Sequence, residues 1–151
     1  MIEKQILKLM LNKKFYVQYK GQISRNVFQG SFGALFETIQ KAHEKYDADL
    51  SVDELYTLHT GVYNPALTRA AKEQFSELVE DIKETTEPSE AIAKDIVNIM
   101  SQRDVAQRIA IEATEIFNGK PAEFDIINKI IEDHKKGLPE EKLESVTDDI
   151  E

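Results

Sequence analysis

From Ser89 to Asn118 the sequence runs without a proline or a glycine. Ile92, Ile96, Ile99, Val105, Ile109, Ala113, Ile116 and Phe117 recur through it at helical spacing, so the stretch predicts one continuous helix. Its thirty residues, at about 1.5 Å each, make a rod of about 45 Å. Pro88 is favourable at the start and Gly119 is a natural left-handed cap at the end. Lys120-Pro121 then turns the chain, and Phe124, Ile127, Ile130 and Ile131 mark the apolar edge of a returning helix that stops at Gly137. The expected unit is an antiparallel helical hairpin. Two helices alone cannot bury isoleucines spread over more than one side, so a further surface is required. That surface is either the N-terminal part of the same chain or a second subunit's hairpin, and the projecting length favours the second.

The rest of the chain is also helical in pattern. Ile2, Ile6, Leu7, Met10 and Leu11 share one face of a first helix ending near Lys13. Residues Phe15 to Phe28 are aromatic and contain Gly21, which predicts a short helix and an irregular turn. Phe32, Leu35, Phe36, Ile39 and Ala42 define an amphipathic helix from Ser31 to about Tyr46, broken by the sequence DADLS. Ser51 and Glu54 form a capping box that starts a short helix through Leu55 and Leu58, with Gly61 expected to stop it. Asn64-Pro65 is expected to begin the next helix, with Leu67, Ala70, Ala71, Phe75, Leu78, Val79 and Ile82 on its buried side. No segment alternates apolar and polar residues as a strand would. The class is therefore all-α: a small globular helical bundle over residues 1–86, the hairpin over 87–137, and an acidic tail over 138–151.

Composition narrows the function classes. The 151 residues carry 41% hydrophobic side chains, enough for one core, and no cysteine, which removes disulfides, thiolate metal sites and cysteine nucleophiles. No apolar run approaches the about 20 residues of a membrane span, and the N-terminus lacks a signal peptide's apolar core, so a cytoplasmic location without membrane contact is expected. The net charge is −9, yet residues 1–30 hold six Lys or Arg against Glu3 alone, while residues 140–151 hold six acids against Lys142. An acidic body repels a phosphate backbone, which confines any nucleic-acid contact to the basic N-terminal face. There Lys13, Lys14, Lys20 and Arg25 interleave with Tyr16 and Tyr19, as a single-strand binder requires; the competing reading is a core edge with a solvated rim.

Other motifs point away from catalysis. Asp47, Asp49, Ser51 and Asp53 alternate like a calcium loop, but Val52 stands where Gly is needed and Leu58 where a bidentate Glu is needed. Gly30-Ser31-Phe32-Gly33 has the form of a backbone clamp, though close helix packing explains it as well. His43, His59 and His134 form no HxxxH or HExxH pair and are expected at surface or half-buried helix positions. Only Gly119 precedes a lysine, and Pro121 follows where a phosphate loop needs Ser or Thr. No catalytic, cofactor or metal residue is assigned.

The order and spacing of four stretches resemble the N-terminal domain of DnaB-type replicative DNA helicases, the bacteriophage versions among them. They are IEKQILKLMLNKKFY, VFQGSFGALFETIQKAHEKYDADLSVDEL, AIAKDIVNIMSQRDVAQRIAIEATEIFNG and PAEFDIINKIIEDHKKG, which together span nearly the whole chain. Phe32 stands where that family often has a histidine, and Gln29-Gly30 where bacterial members have Asp-Pro. The resemblance implies a non-catalytic collar in which hairpins pair between subunits, six chains assemble as a trimer of dimers, and primase or a helicase loader docks. The assembled ring would guide DNA. It also implies that ATP and Mg belong to a motor domain following a linker that begins in LPEEKLESVTDDIE. Under it, Ile109, Ile116, Phe117, Phe124, Ile127 and Ile131 would form the subunit interface. A stand-alone helical adaptor and a weak nucleic-acid binder are the alternatives.

Overall fold

The computed structural model describes residues 2–136; the acidic tail and the stop expected at Gly137 lie outside them. Seven α-helices organise the described residues, with no strand among them, so the all-α class holds. No helix there is long and apolar enough to cross a membrane.

The first helix, α1 (Ile2–Met10), buries Ile6, Leu7 and Met10, the i, i+1, i+4 face that its sequence dictates. It stops short of Lys13 because the Asn12 side chain accepts the Phe15 N–H and recaps the chain as α2 (Lys13–Tyr19). The irregular stretch that follows contains one 3₁₀ turn, Arg25–Val27. Gly30, at φ +55, then turns the chain into α3 (Ser31–Lys45), and Gly33 faces Phe28 and Arg25, where an added Cβ would make van der Waals contact at 3.4 Å from the Phe28 carbonyl oxygen.

The capping box forms as expected: Glu54 N–H donates to Ser51 Oγ at 3.0 Å and Ser51 N–H to Glu54 Oε1 at 2.9 Å, opening α4 (Val52–Thr57). Gly61 does not stop this helix. The chain passes through it in a wider π-helical turn, Leu58–Tyr63, and Asn64 closes that turn by donating both its backbone N–H and its side-chain Nδ2 to the His59 carbonyl, each at 3.0 Å. Nor does Asn64-Pro65 begin the next helix: Thr68 caps α5 (Arg69–Glu84), its hydroxyl accepting the Ala71 N–H at 3.1 Å. Ala70, expected on the buried side, is exposed, whereas Val79 and Ile82 are buried.

Ser89 caps α6 (Glu90–Phe117), and Gly119 closes it at φ +113, with its N–H on the Ile116 carbonyl at 3.2 Å. The Lys120 ammonium bonds Glu112 at 3.1 Å and Glu115 at 3.0 Å, fixing the turn into α7 (Phe124–Lys136). One continuous core joins Ile6, Leu7 and Met10 of α1, Leu35, Phe36 and Ile39 of α3, Leu55 of α4, Ile82 of α5 and Ile96, Val97 and Met100 of α6. The long helix is thus divided: its first half completes the bundle, and its second half leaves it.

Two histidines sit deeper than their spacing suggested. His43 and His59 are each only 2% exposed, because the fold gives each ring both a polar partner and an aromatic one. His43 Nε2 donates to the Met10 carbonyl at 2.7 Å and its ring stacks on Tyr16 at 4.6 Å. His59 Nδ1 accepts from Thr38 Oγ1 at 2.7 Å and from Asn64 Nδ2 at 3.2 Å, with Phe75 edge-on at 4.2 Å.

Candidate self-association surface

Burial along α6 ends abruptly. Ala93, Ile96, Val97, Met100, Ser101 and Asp104 are buried, and no later residue of the helix is. Helix α7 has no buried residue at all. This is not for want of apolar side chains. Phe117 is 89% exposed and Phe124 62%, with Ile111 also exposed, while Ile109, Ile116, Ile127 and Ile131 are half-buried. Ile109 and Ile116 lie two turns apart on one face of α6, and Phe124, Ile127 and Ile131 share one face of α7. Among the described residues the two helices cover each other in part, and the Lys20–Ser24 stretch approaches them at the root of the arm, beside Val105, Arg108, Ile130 and Asp133. A fully buried Phe side chain is worth about 1.5–3 kcal/mol, and Phe117 and Phe124 forgo most of it here. The exposed Phe117 and Phe124 make the far end of the arm a candidate surface for association.

The arm is anchored at its root by polar contacts. Ser101 Oγ and His134 Nδ1 lie 3.0 Å apart, tying the last turns of α7 to the middle of α6. Asp104, only 6% exposed, accepts from Ser24 Oγ at 3.2 Å and pairs with Arg108 at 2.9 Å. A cleft of about 160 Å³ lies between them, walled also by Gln22, whose buried side-chain amide has no hydrogen-bond partner among the described residues. Among the described residues no three His, Asp or Glu side chains converge as a metal ligand set would.

The basic residues do not form one free face. Lys13 bonds the carbonyls of His43 and Tyr46, taking up the unsatisfied C-terminal end of α3. Lys8 does the same for α5 through Lys83 O at 2.9 Å and Thr85 O at 2.6 Å, and Lys4 lies 3.4 Å from Asp81. Arg25 pairs with Glu37 at 2.5 Å. Of the four residues singled out for nucleic-acid contact, Lys14, Lys20 and Arg25 are exposed, Arg25 in an ion pair with Glu37, while Lys13 is half-buried and held on the end of α3. Tyr16 and Tyr19 are buried, so their rings cannot act as stacking platforms on the surface. Burial, reinforced by the negative charge of Glu44, raises the Tyr16 hydroxyl pKa.

The helix-capping lysines and the buried histidines were the features that sequence reasoning missed. Charge patterning flags lysines as solvated, and nothing local indicates which carbonyls they will meet. Comparison with known proteins found no matching family model, no matching curated protein and no matching solved structure.

Proposed function

We propose that this chain is a non-catalytic assembly domain that self-associates through the arm of distal α6 and α7, as the collar of a DnaB-type hexameric replicative helicase would. The observation that carries this reading is the complete absence of buried residues in α7 and in α6 beyond Asp104, on helices rich in Ile and Phe. Pairing two such arms supplies the missing third and fourth surfaces and turns half-buried isoleucines into a core. Because association costs about 4–15 kcal/mol in lost freedom, several of these side chains must be buried together for a stable pair. The head would then sit outside the seam, available to primase or a loader, with ATP and Mg used by a separate motor domain.

Light scattering across a micromolar to near-millimolar concentration series tests the reading. Mass is expected to rise towards a dimer or higher closed oligomer. Ile127→Asp is expected to hold the protein monomeric while its helical circular dichroism and thermal transition stay in place. A strict monomer at every concentration would favour the stand-alone adaptor instead.

A further inference from the structure

A second unpartnered surface lies on the head, in the groove between the loop that follows α3 and helix α4. It encloses about 460 Å³ and is lined by Tyr46, Leu50 and Leu58 together with Asp49, Asp53 and Glu54. Tyr46 is 40% exposed, and no basic residue lines the groove. Its walls are held in place by hydrogen bonds. Leu50 N–H donates to the Leu11 carbonyl at 2.9 Å, and the Asp49 carboxylate accepts the Lys13 N–H at 2.8 Å, pinning the loop to the start of α2. Glu54 is fixed by the Ser51 N–H through one oxygen, at 2.9 Å. Asp53 is held only loosely, 3.9 Å from Lys83. The result is an apolar floor beside two carboxylates, Asp49 and Glu54, whose positions are set before anything binds, which lowers the ordering cost of a ligand.

We propose that this groove receives a basic amphipathic segment of a partner protein, one that lays an apolar side chain on Tyr46, Leu50 and Leu58 and sets Lys or Arg against Asp49, Asp53 and Glu54. Charge complementarity selects this occupant. A nucleic-acid strand or an anionic lipid surface would meet three carboxylates in the lining, the nearby cations standing at the rim, where Lys83 lies 3.9 Å from Asp53 and Lys45 lies 5.5 Å from the Tyr46 ring centre. A second copy of the chain is a poorer source of the basic segment, because Lys4, Lys8, Lys13 and Arg25 of its basic N-terminal region are bonded within their own chain, leaving Lys14 and Lys20 as the exposed cations there. The proposal is independent of arm pairing, since the groove and the arm share no residue.

The test is a titration of the ¹⁵N-labelled full chain with a leucine–arginine amphipathic helical peptide, with a leucine–glutamate peptide of the same pattern as control. Amide shifts are expected to cluster over residues 46–58, to weaken with added salt, and to be absent with the acidic peptide. In a Tyr46→Ala/Asp53→Asn variant, affinity is expected to fall about tenfold or more. Neither side chain caps a helix, and circular dichroism confirms that the variant is folded; Asp53→Lys alone serves if the pair is not. Shifts elsewhere on the acidic body, equal binding by the variant, or no binding would overturn the proposal. So would shifts over residues 46–58 that grow with protein concentration alone, which would assign the groove to a second copy.

Discussion

His43 and His59 show how single residues tie the stability of the head to pH. Burial lowers the pKa of both rings; for His43 the Met10 hydrogen bond and Asp49 oppose the shift and Lys13 adds to it, and for His59 Lys41 adds to it. Protonating His43 would place a second N–H at Nδ1, which has no partner among the described residues, in a site 2% exposed. In the unfolded chain both rings titrate near their ordinary value of about 6.5. The unfolded state therefore binds protons first, and the stability these residues contribute is complete above about pH 6.5 and declines as pH falls below it. Urea unfolding at pH 7.5 and 5.5 measures this. The native chain is expected to lose stability at the lower pH, and His43→Gln/His59→Gln to lose less, which separates the rings from the relief of acidic self-repulsion. The residue scale also marks where sequence reading fails. Ser51 and Glu54, or Gly119, act on neighbours within four residues and were legible. His43 meets Met10, and Lys13 meets His43, across about thirty residues, so only the assembled fold makes those pairs.

At the scale of elements, α6 is one helix by every local criterion and two by packing. No proline or glycine marks Asp104 as a boundary, and apolar residues continue at helical spacing beyond it through Val105, Ile109, Ala113 and Ile116. The division comes from the bundle, which ends where α1 and the 3₁₀ turn stop covering the helix. The π-helical turn at Leu58–Tyr63 was hidden for a similar reason: Gly61 reads as a stop, but the Asn64 bonds to His59 hold the widened turn together. The packing division of α6 predicts unequal responses to the same truncation. Ile96→Ala is expected to cost about 2–5 kcal/mol in urea unfolding, since it opens a cavity in the shared core. Ile127→Ala, on the half-buried face of α7, is expected to stay within about 1 kcal/mol when measured in dilute monomer. Equal costs would mean that the arm belongs to the core.

For the whole molecule, a compact head and an under-buried arm imply two levels of local stability within one chain. Protection against hydrogen exchange follows the apolar contacts that must be broken to open a segment. The helices around Leu7, Phe36 and Ile82 are held by side chains with no exposed surface, and their amides are expected to exchange only through global unfolding. Helix α7 is held by half-buried isoleucines, the Ser101–His134 contact and the Lys120 bonds, so it can open without disturbing the head. In dilute protein, amides over residues 105–136 are therefore expected to exchange far faster than those of α1, α3 and α5. Raising the concentration separates the functional readings. If arms pair, binding stabilises the closed form by mass action, and the protection of residues 105–136 rises with protein concentration while that of the head does not change. Slow exchange throughout α7 in dilute monomer would mean that α6 and α7 suffice for each other. The exposed Phe117 and Phe124 would then be surface residues rather than half of an interface.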